Sequence, residues 1–574
     1  MTSEDLEAVI QEVNNRYSFA FSSVKHDNYL GYSAVYEGEI VADFGIQFTI
    51  QLCFEYSFPL VLPKCLVINP PENALHISKG SICYCDQDSI LIDQDKPVEL
   101  VKYSVDQIIK TLNIRLGTDE YSSELKREFL AYWLDRCSLP YYSIIESEIC
   151  NFRSVKIVLS DSFFLISKTF YEAETYIHNF AKIPRDKRLI EKTGILLRLR
   201  NNIDPYVLAN SNEWSDIWHF IRDNADTSIR NKFLRYINSK TRQDDHHIII
   251  SIPYMERDIM IGFLLQISEG SDYSLSNVQK YSLKRMYVNR IDSSFLLLRG
   301  GNMVDVSNKH ILLLGCGSVG GYIAENLIKS GIRRLSIIDK DNLHPENIYR
   351  HLLGYDSIDI SRPINKADLV KAHLEKNYPD LEITSICEYN RRVEDLFHDL
   401  GKIKQYDLII SALGSPTLNI FINRQLYHLD KKIPFVICFN EPYGVGGHVI
   451  ISNINESSCM ECLYTDILSP DRVAFRGSLV EVDQYFSKNI GGCGSSYTPY
   501  CSLDSQQTAI IATKQAINLF SNRTTENYVI SWAGEDDLLT EHGYKSSIRF
   551  KEIRNSYISI IPISQNNNCR CCQV

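Results

Sequence analysis

Apolar positions change period several times along the chain, and the changes divide it. In the segment Ser3–Tyr17 they fall at Leu6, Val9, Ile10 and Val13, one face of a helix that Thr2 or Ser3 can cap. Strand-like runs follow at 32–36, 46–54 and 65–68, separated by turn residues and by Pro59 and Pro63. Two helical stretches, 105–116 and 122–134, close this region. Helix, antiparallel meander, irregular segment and helices predict an α+β domain over residues 1–145.

Residues 146–289 alternate less cleanly. Runs at 154–159, 163–166, 248–252 and 260–267 read as strands around one helical stretch, 214–238, with Ile217, Ile221 and Phe233 on its apolar side. Asp244-Asp245-His246-His247 reads as a polar turn before a strand rather than a metal site. The segment holds no catalytic constellation, and an α/β linker domain is expected.

The sharpest pattern begins at Ile311. The run 311–314 reads as a buried parallel strand, and Gly315-Cys316-Gly317-Ser318-Val319-Gly320-Gly321 follows it. Ile323, Ala324, Leu327 and Ile328 then recur at helical spacing. A second apolar run, 335–338, ends in Asp339. This βαβ pattern carries a nucleotide fingerprint. Gly315, Gly317 and Gly320 let backbone approach a phosphate, and a helix start favours an anion. Asp339 lies where an acid can bond a ribose hydroxyl. Another buried strand is expected at 406–413, ending in Gly414-Ser415, and a helix at 506–519. Residues 290–574 are thus predicted to form a Rossmann-like domain.

At 574 residues the chain exceeds one core, so three domains are expected. Its net charge of −11 and the lack of a long basic run argue against nucleic acid as a direct partner. The acidic start MTSEDLEAV has no apolar region of a secretory signal, and no run approaches a membrane span. The sixteen cysteines read as reduced cytoplasmic thiols, some buried and some metal-binding or catalytic. Cys316, Cys387 and Cys438, in or beside strands, are expected in the core.

The glycine turn alone would suit a nicotinamide oxidoreductase. Asp339 and Asp341 followed by Asn347, Arg350 and Lys366 do not, because a cationic cluster suits a triphosphate and charge developing in adenylyl transfer. This segment resembles the adenylation domain of ubiquitin-activating enzymes and of bacterial sulfur-carrier adenylyltransferases. The resemblance implies that Asp339 binds ribose and that Asn347, Arg350 and Lys366 contact ATP and its phosphates. Mg²⁺ is implied with ATP, although Gly414 stands where relatives often place a magnesium-holding aspartate. It also implies a homodimer, and an arginine from this region, Arg290 or Arg299, that reaches into a site.

Cys459-Met460-Glu461-Cys462 and Cys569-Arg570-Cys571-Cys572 are two C-x-x-C pairs. Together they fit one structural Zn²⁺ site with Cys571 as a substitute ligand, and the sulfur-carrier enzymes carry a similar pair of pairs. Activating enzymes place a nucleophilic cysteine on a crossover loop, with a proline six residues on and a helix behind. Cys493 and Pro499 match that spacing, and Cys501 is the alternative.

In the N-terminal region, Phe58-Pro59, Leu62-Pro63, Asn69-Pro70-Pro71, His76 and Gly80-Ser81-Ile82-Cys83 resemble a ubiquitin-conjugating domain. By that resemblance Cys83 is the thioester-forming nucleophile, with Cys85 its rival. His76-Ile77-Ser78 replaces the eukaryotic His-Pro-Asn, so the usual oxyanion-stabilising asparagine is absent.

The order of the parts resembles the bacterial fusion enzymes of cyclic-oligonucleotide-based anti-phage signalling. That resemblance implies activation of the C-terminus of a cGAS-like nucleotidyltransferase and its attachment to target lysines or other amines. The competing expectation is a sulfur-carrier adenylyltransferase with an inert N-terminal binding domain.

Overall fold

Thr2 sets the first helix. Its Oγ accepts the Asp5 N–H at 3.2 Å while the Asp5 carboxylate takes the Thr2 N–H at 3.0 Å, and the helix runs Ser3–Tyr17. The computed structural model describes residues 2–24, 31–70, 75–78, 80–114, 129–130, 133–134, 137, 139–146, 151–160, 163–200, 208, 213–239, 245–254, 257–267, 281–301, 305–386, 393–465, 474–489, 496–521 and 523–572. It forms two units: Met1–Ala173 with Leu189–Arg290, and Glu174–Arg188 with Ile291–Val574.

In the first unit, Tyr32–Ala42, Ile46–Glu55 and Lys64–Ile68 make the antiparallel meander, extended by the short pair Ile77–Ser78 and Ser81–Ile82. Helices Ser3–Tyr17 and Pro97–Leu112 share its core. Leu6, Ile10, Val13, Val101, Val105 and Ile108 are buried with Ile50, Leu52 and Phe54. The second helix starts well before the expected residue 105, because Pro97 opens it at a position that needs no N–H donor. The helix expected at 122–134 lies largely outside the described residues.

The middle of the chain departs from the expected alternation. Seven strands, Leu139–Ser143, Phe152–Leu159, Phe164–Ser167, Ile190–Arg198, His246–Tyr254, Arg257–Ile267 and Tyr281–Arg290, close into a barrel. Val155, Ile157, Ile166, Leu196, Ile249 and Met260 belong to one of its buried clusters. The single helix expected at 214–238 is two, Trp214–Asn224 and Thr227–Ser239. Ala225 is extended between them, which lets Trp214 lie 6.1 Å from Phe233. His246 and His247 are buried strand residues rather than a turn, Asp245 pairs with Lys192, and Asp244 lies outside the described residues.

The second unit is built on an eight-stranded sheet. Its spatial order is Glu382–Ile386, Arg334–Ile338, His310–Leu314, Leu408–Ser411, Phe435–Asn440, Gly446–Ser452, Tyr528–Ala533 and Ile558–Pro562. The first five strands run parallel and the rest pair antiparallel. The chain winds outward from His310–Leu314 on one side, then returns to its other side at Leu408–Ser411. That reversal opens a crevice beyond the carboxyl ends of the strands, where α/β sheets hold ligands. Cys316 and Cys438 are buried here, and Cys387 lies outside the described residues.

Candidate active site

The glycine turn follows the carboxyl end of the strand His310–Leu314. Gly315 has φ +84°, a left-handed conformation that favours glycine, and a Cβ there would approach the Ala412 carbonyl oxygen at 3.1 Å. A Cβ on Gly320 would lie 2.0 Å from the Gly315 carbonyl oxygen, so only glycine lets the helix Gly320–Lys329 start so close to the turn. Gly317 faces open space, with nothing within 4 Å of where a Cβ would sit. The turn is therefore a tight backbone cradle with one uncovered edge, which fits a phosphate group.

Asp339, at the end of the second strand, is held by two backbone donors. Its Oδ2 accepts the Cys316 N–H and its Oδ1 the Asp341 N–H, both at 2.8 Å. Each oxygen keeps a lone pair for a further donor such as a ribose hydroxyl. Lys366 opens the helix Lys366–Asn377, its side chain largely buried and its Nζ 3.5 Å from the Asp341 carboxylate. Asn347 uses its Oδ1 to accept the His344 N–H at 3.1 Å.

Arg350 donates to the Thr498 carbonyl at 3.1 Å, and its guanidinium carbon lies 5.0 Å from the Tyr500 ring centre. Asp341, Asn347, Arg350 and Lys366 line one cleft of about 1520 Å³. Tyr443, Trp532 and Leu538 also line it, together with the acidic Asp504, Glu535 and Asp537. It has room for a nucleotide and for an extended chain end beside it.

Cys501 is exposed on the cleft wall and caps the helix Ser502–Phe520, its N–H donating to Asp504 at 2.8 Å. Cys493 lies outside the described residues. In the first unit, Cys83 is exposed just after the strand Ser81–Ile82, and its N–H donates to the His76 carbonyl at 2.7 Å. His76 has φ +59°, a left-handed turn that brings this carbonyl round. Tyr84 fixes the loop from below through a 2.5 Å bond to the Pro63 carbonyl. Burial, and then the neighbouring Cys83, push the Cys85 thiol upward; burial drives Cys53 up to about 11. Cys83 is thus the accessible thiol of its loop.

Residues 291–525 match the ThiF family, and residues 17–138 match prokaryotic E2 family B. The chain joins an E2-like domain to a ThiF-type adenylation domain. Three relatives bear the name ATP-dependent ubiquitin transferase-like protein Cap2. That of Vibrio cholerae serotype O1 is 27% identical over 259 residues, 43% of this chain and 42% of the relative. That of Pseudomonas aeruginosa is 26% identical over 341 residues, 57% of each. That of Escherichia coli is 24% identical over 515 residues, 78% of this chain and 81% of the relative. The matches to the first two thus span about half of those relatives.

In the adenylation domain, Cys459, Cys462, Cys569 and Cys572 bring their sulfurs within 4.8 Å of one another. Cys459 and Cys569 are 3.8 Å apart, and Cys462 and Cys572 are 3.6 Å apart. Sulfurs on a tetrahedral zinc at ~2.3 Å sit about 3.8 Å from each other, so the group fits Zn²⁺. Cys571 is not among these four; its sulfur takes the Asn423 Nδ2–H at 3.5 Å and lies within hydrogen-bond reach of Cys459. Fully buried Glu461, inside the first pair, accepts both arms of Arg424 at 2.6 and 2.7 Å.

Sequence reasoning missed Tyr500, Tyr443 and Trp532. The first lies 182 residues from its partner Ser318, and no local period reports such a contact. The available signal was Thr498-Pro499-Tyr500 directly before a helix start.

Proposed function

We propose that the chain is an ATP-dependent ubiquitin-transferase-like ligase of three domains, 1–145, 146–289 and 290–574. The carrying observation is the pair of accessible chemistries: a cleft lined by Arg350, Lys366 and Tyr500, the last bonded to Ser318 of the glycine turn, and an exposed Cys83 on the E2-like loop.

In this reading Asp339 orients ribose, the turn Gly315–Gly321 receives a phosphate, and Asn347, Arg350 and Lys366 neutralise the triphosphate. Gly414 offers no side chain to magnesium, so phosphate oxygens would supply most of its ligands; Mg²⁺ when bound would neutralise charge. A carboxylate from a protein C-terminus attacks the α-phosphorus, forming an acyl-adenylate and releasing pyrophosphate. Cys493, or Cys501 in its place, attacks that carbonyl as thiolate and releases AMP. Cys83 takes the acyl group by thioester exchange, which frees the first thiol. A lysine or other amine then forms the amide and frees Cys83.

The resemblance to anti-phage fusion enzymes supports a cGAS-like nucleotidyltransferase as acyl donor, a cytoplasmic setting and a homodimer. The absence of an asparagine after His76 favours keeping one rival, sulfur-carrier activation with a passive E2-like domain. The test is to incubate the full chain with ATP, Mg²⁺ and a candidate donor, then follow pyrophosphate and thiol-sensitive adducts by mass. The ligase reading expects adducts on cysteine and amide conjugates that need Cys83. Thiocarboxylate product made equally by Cys83→Ala would replace it with the rival, and no nucleotide turnover would end both.

A further inference from the structure

The segment between residues 498 and 502 is bonded to the glycine turn and to its cationic wall at once. The Tyr500 hydroxyl shares a 2.9 Å hydrogen bond with Ser318 Oγ, inside the glycine turn. The guanidinium of Arg350 sits over the Tyr500 ring, and its Nη1 donates to the Thr498 carbonyl. Two residues after Tyr500, Ser502 Oγ and the Tyr322 hydroxyl are 2.9 Å apart, which ties the same segment to the helix that begins at the turn. On the far side the Tyr443 N–H donates to the Pro499 carbonyl.

A guanidinium packed against a ring keeps in-plane N–H donors available, because the ring contact uses its face. Arg350 has five such donors, and the Thr498 carbonyl takes one. Its long side chain is thereby fixed at one tyrosine ring's distance from the cradle. A phosphate chain laid on the turn would extend past that ring toward Arg350, so a longer chain would meet more of it.

We infer that Tyr500 is a positioning residue for triphosphate recognition: it holds Arg350 in register with the glycine turn and makes the cleft prefer ATP over AMP. The inference rests on the adenylation reading of the cleft. Tyr500 touches no reacting atom in it and acts through Arg350 and Ser318.

Calorimetric titration of the full chain with ATP and, separately, with AMP tests this. Wild type is expected to bind ATP more tightly. Tyr500→Leu, which removes ring and hydroxyl, should weaken ATP by about tenfold and AMP by less than about twofold. Tyr500→Phe keeps the ring and should retain most of the ATP preference. Its small loss should not add to that of Ser318→Ala, since both remove the same bond. Equal weakening of ATP and AMP in Tyr500→Leu, or no weakening, overturns the inference while leaving adenylation intact. If Tyr500→Leu does not fold, full additivity of Tyr500→Phe and Ser318→Ala overturns it instead. Wild type that binds neither nucleotide removes the adenylation reading and this inference with it.

Discussion

His351 clasps the glycine turn through Cys316. Its Nε2 donates to the Cys316 carbonyl at 2.8 Å and its Nδ1 accepts the Leu353 N–H at 3.1 Å. A carbonyl only accepts and an amide N–H only donates, so both bonds require the neutral ring with hydrogen on Nε2. The ring is 4% exposed. Burial pushes its pKa below the ordinary histidine value of 6.5, against the opposing pull of the Cys316 carbonyl.

A prediction about acidity follows from that clasp. The unfolded ring takes a proton at higher pH than the folded one, so its contribution to stability is whole above 6.5. It is lost as pH falls from there toward the lower folded value, by at most ~1.4 kcal/mol per pH unit. Calorimetric melting of the full chain between about pH 7.5 and 5.5 should show a steeper loss in wild type than in His351→Gln. Parallel curves would show that the ring is not held neutral.

Two glycines of the turn should respond in opposite ways to one added methyl. Gly320→Ala puts a Cβ against the Gly315 carbonyl and should destabilise the adenylation domain by several kcal/mol, seen as a lowered melting temperature. Gly317→Ala meets nothing in the protein, so stability should hold while ATP binding weakens by about tenfold. Gly317→Ala binding ATP like wild type would mean that phosphate does not approach this edge.

Local chemistry made part of this architecture legible. Ser3–Tyr17 follows from one apolar face and a cap at Thr2, and the first βαβ unit from an apolar run that ends in glycine. The barrel was hidden because its closure pairs Leu139–Ser143 with Tyr281–Arg290, whose partners, such as Leu139 and Met286, lie 147 residues apart. No periodicity within a window reports that pairing. The break at Ala225 was equally silent, since alanine favours continuing a helix and tertiary stacking of Trp214 near Phe233 decides otherwise. In the cleft, residues close to the glycine turn in sequence were readable, whereas Tyr500 reaches it only through the fold.

The four-sulfur cluster should bind one zinc per chain, measured by elemental analysis of purified protein. Cys462→Ser or Cys572→Ser should lose the metal and several kcal/mol, because the ion joins segments 110 residues apart. The tail beyond Ile558–Pro562 should then become susceptible to protease. Cys571→Ser should keep the zinc, since Cys571 is not among the four sulfurs that lie within 4.8 Å of one another and its sulfur takes the Asn423 N–H instead. Metal retained by Cys462→Ser and lost by Cys571→Ser would reverse the ligand assignment.

The thiols order the proposed relay. Asp339→Ala should abolish ATP–pyrophosphate exchange, since it removes the acceptor that two backbone N–H groups hold toward the crevice. Cys83→Ala should accumulate acyl thioester on the adenylation domain and form no conjugates, read by mass under non-reducing conditions. Between the two remaining candidates, Cys493→Ala should keep exchange and lose every thioester, while Cys501→Ala keeps them. Cys501 is exposed on the cleft wall at a helix start, so the reverse outcome would move the first acyl acceptor to that wall. Charging of Cys83 in the double variant lacking both would mean that the acyl group passes directly from adenylate to the E2-like loop, and a two-sulfur relay would be wrong.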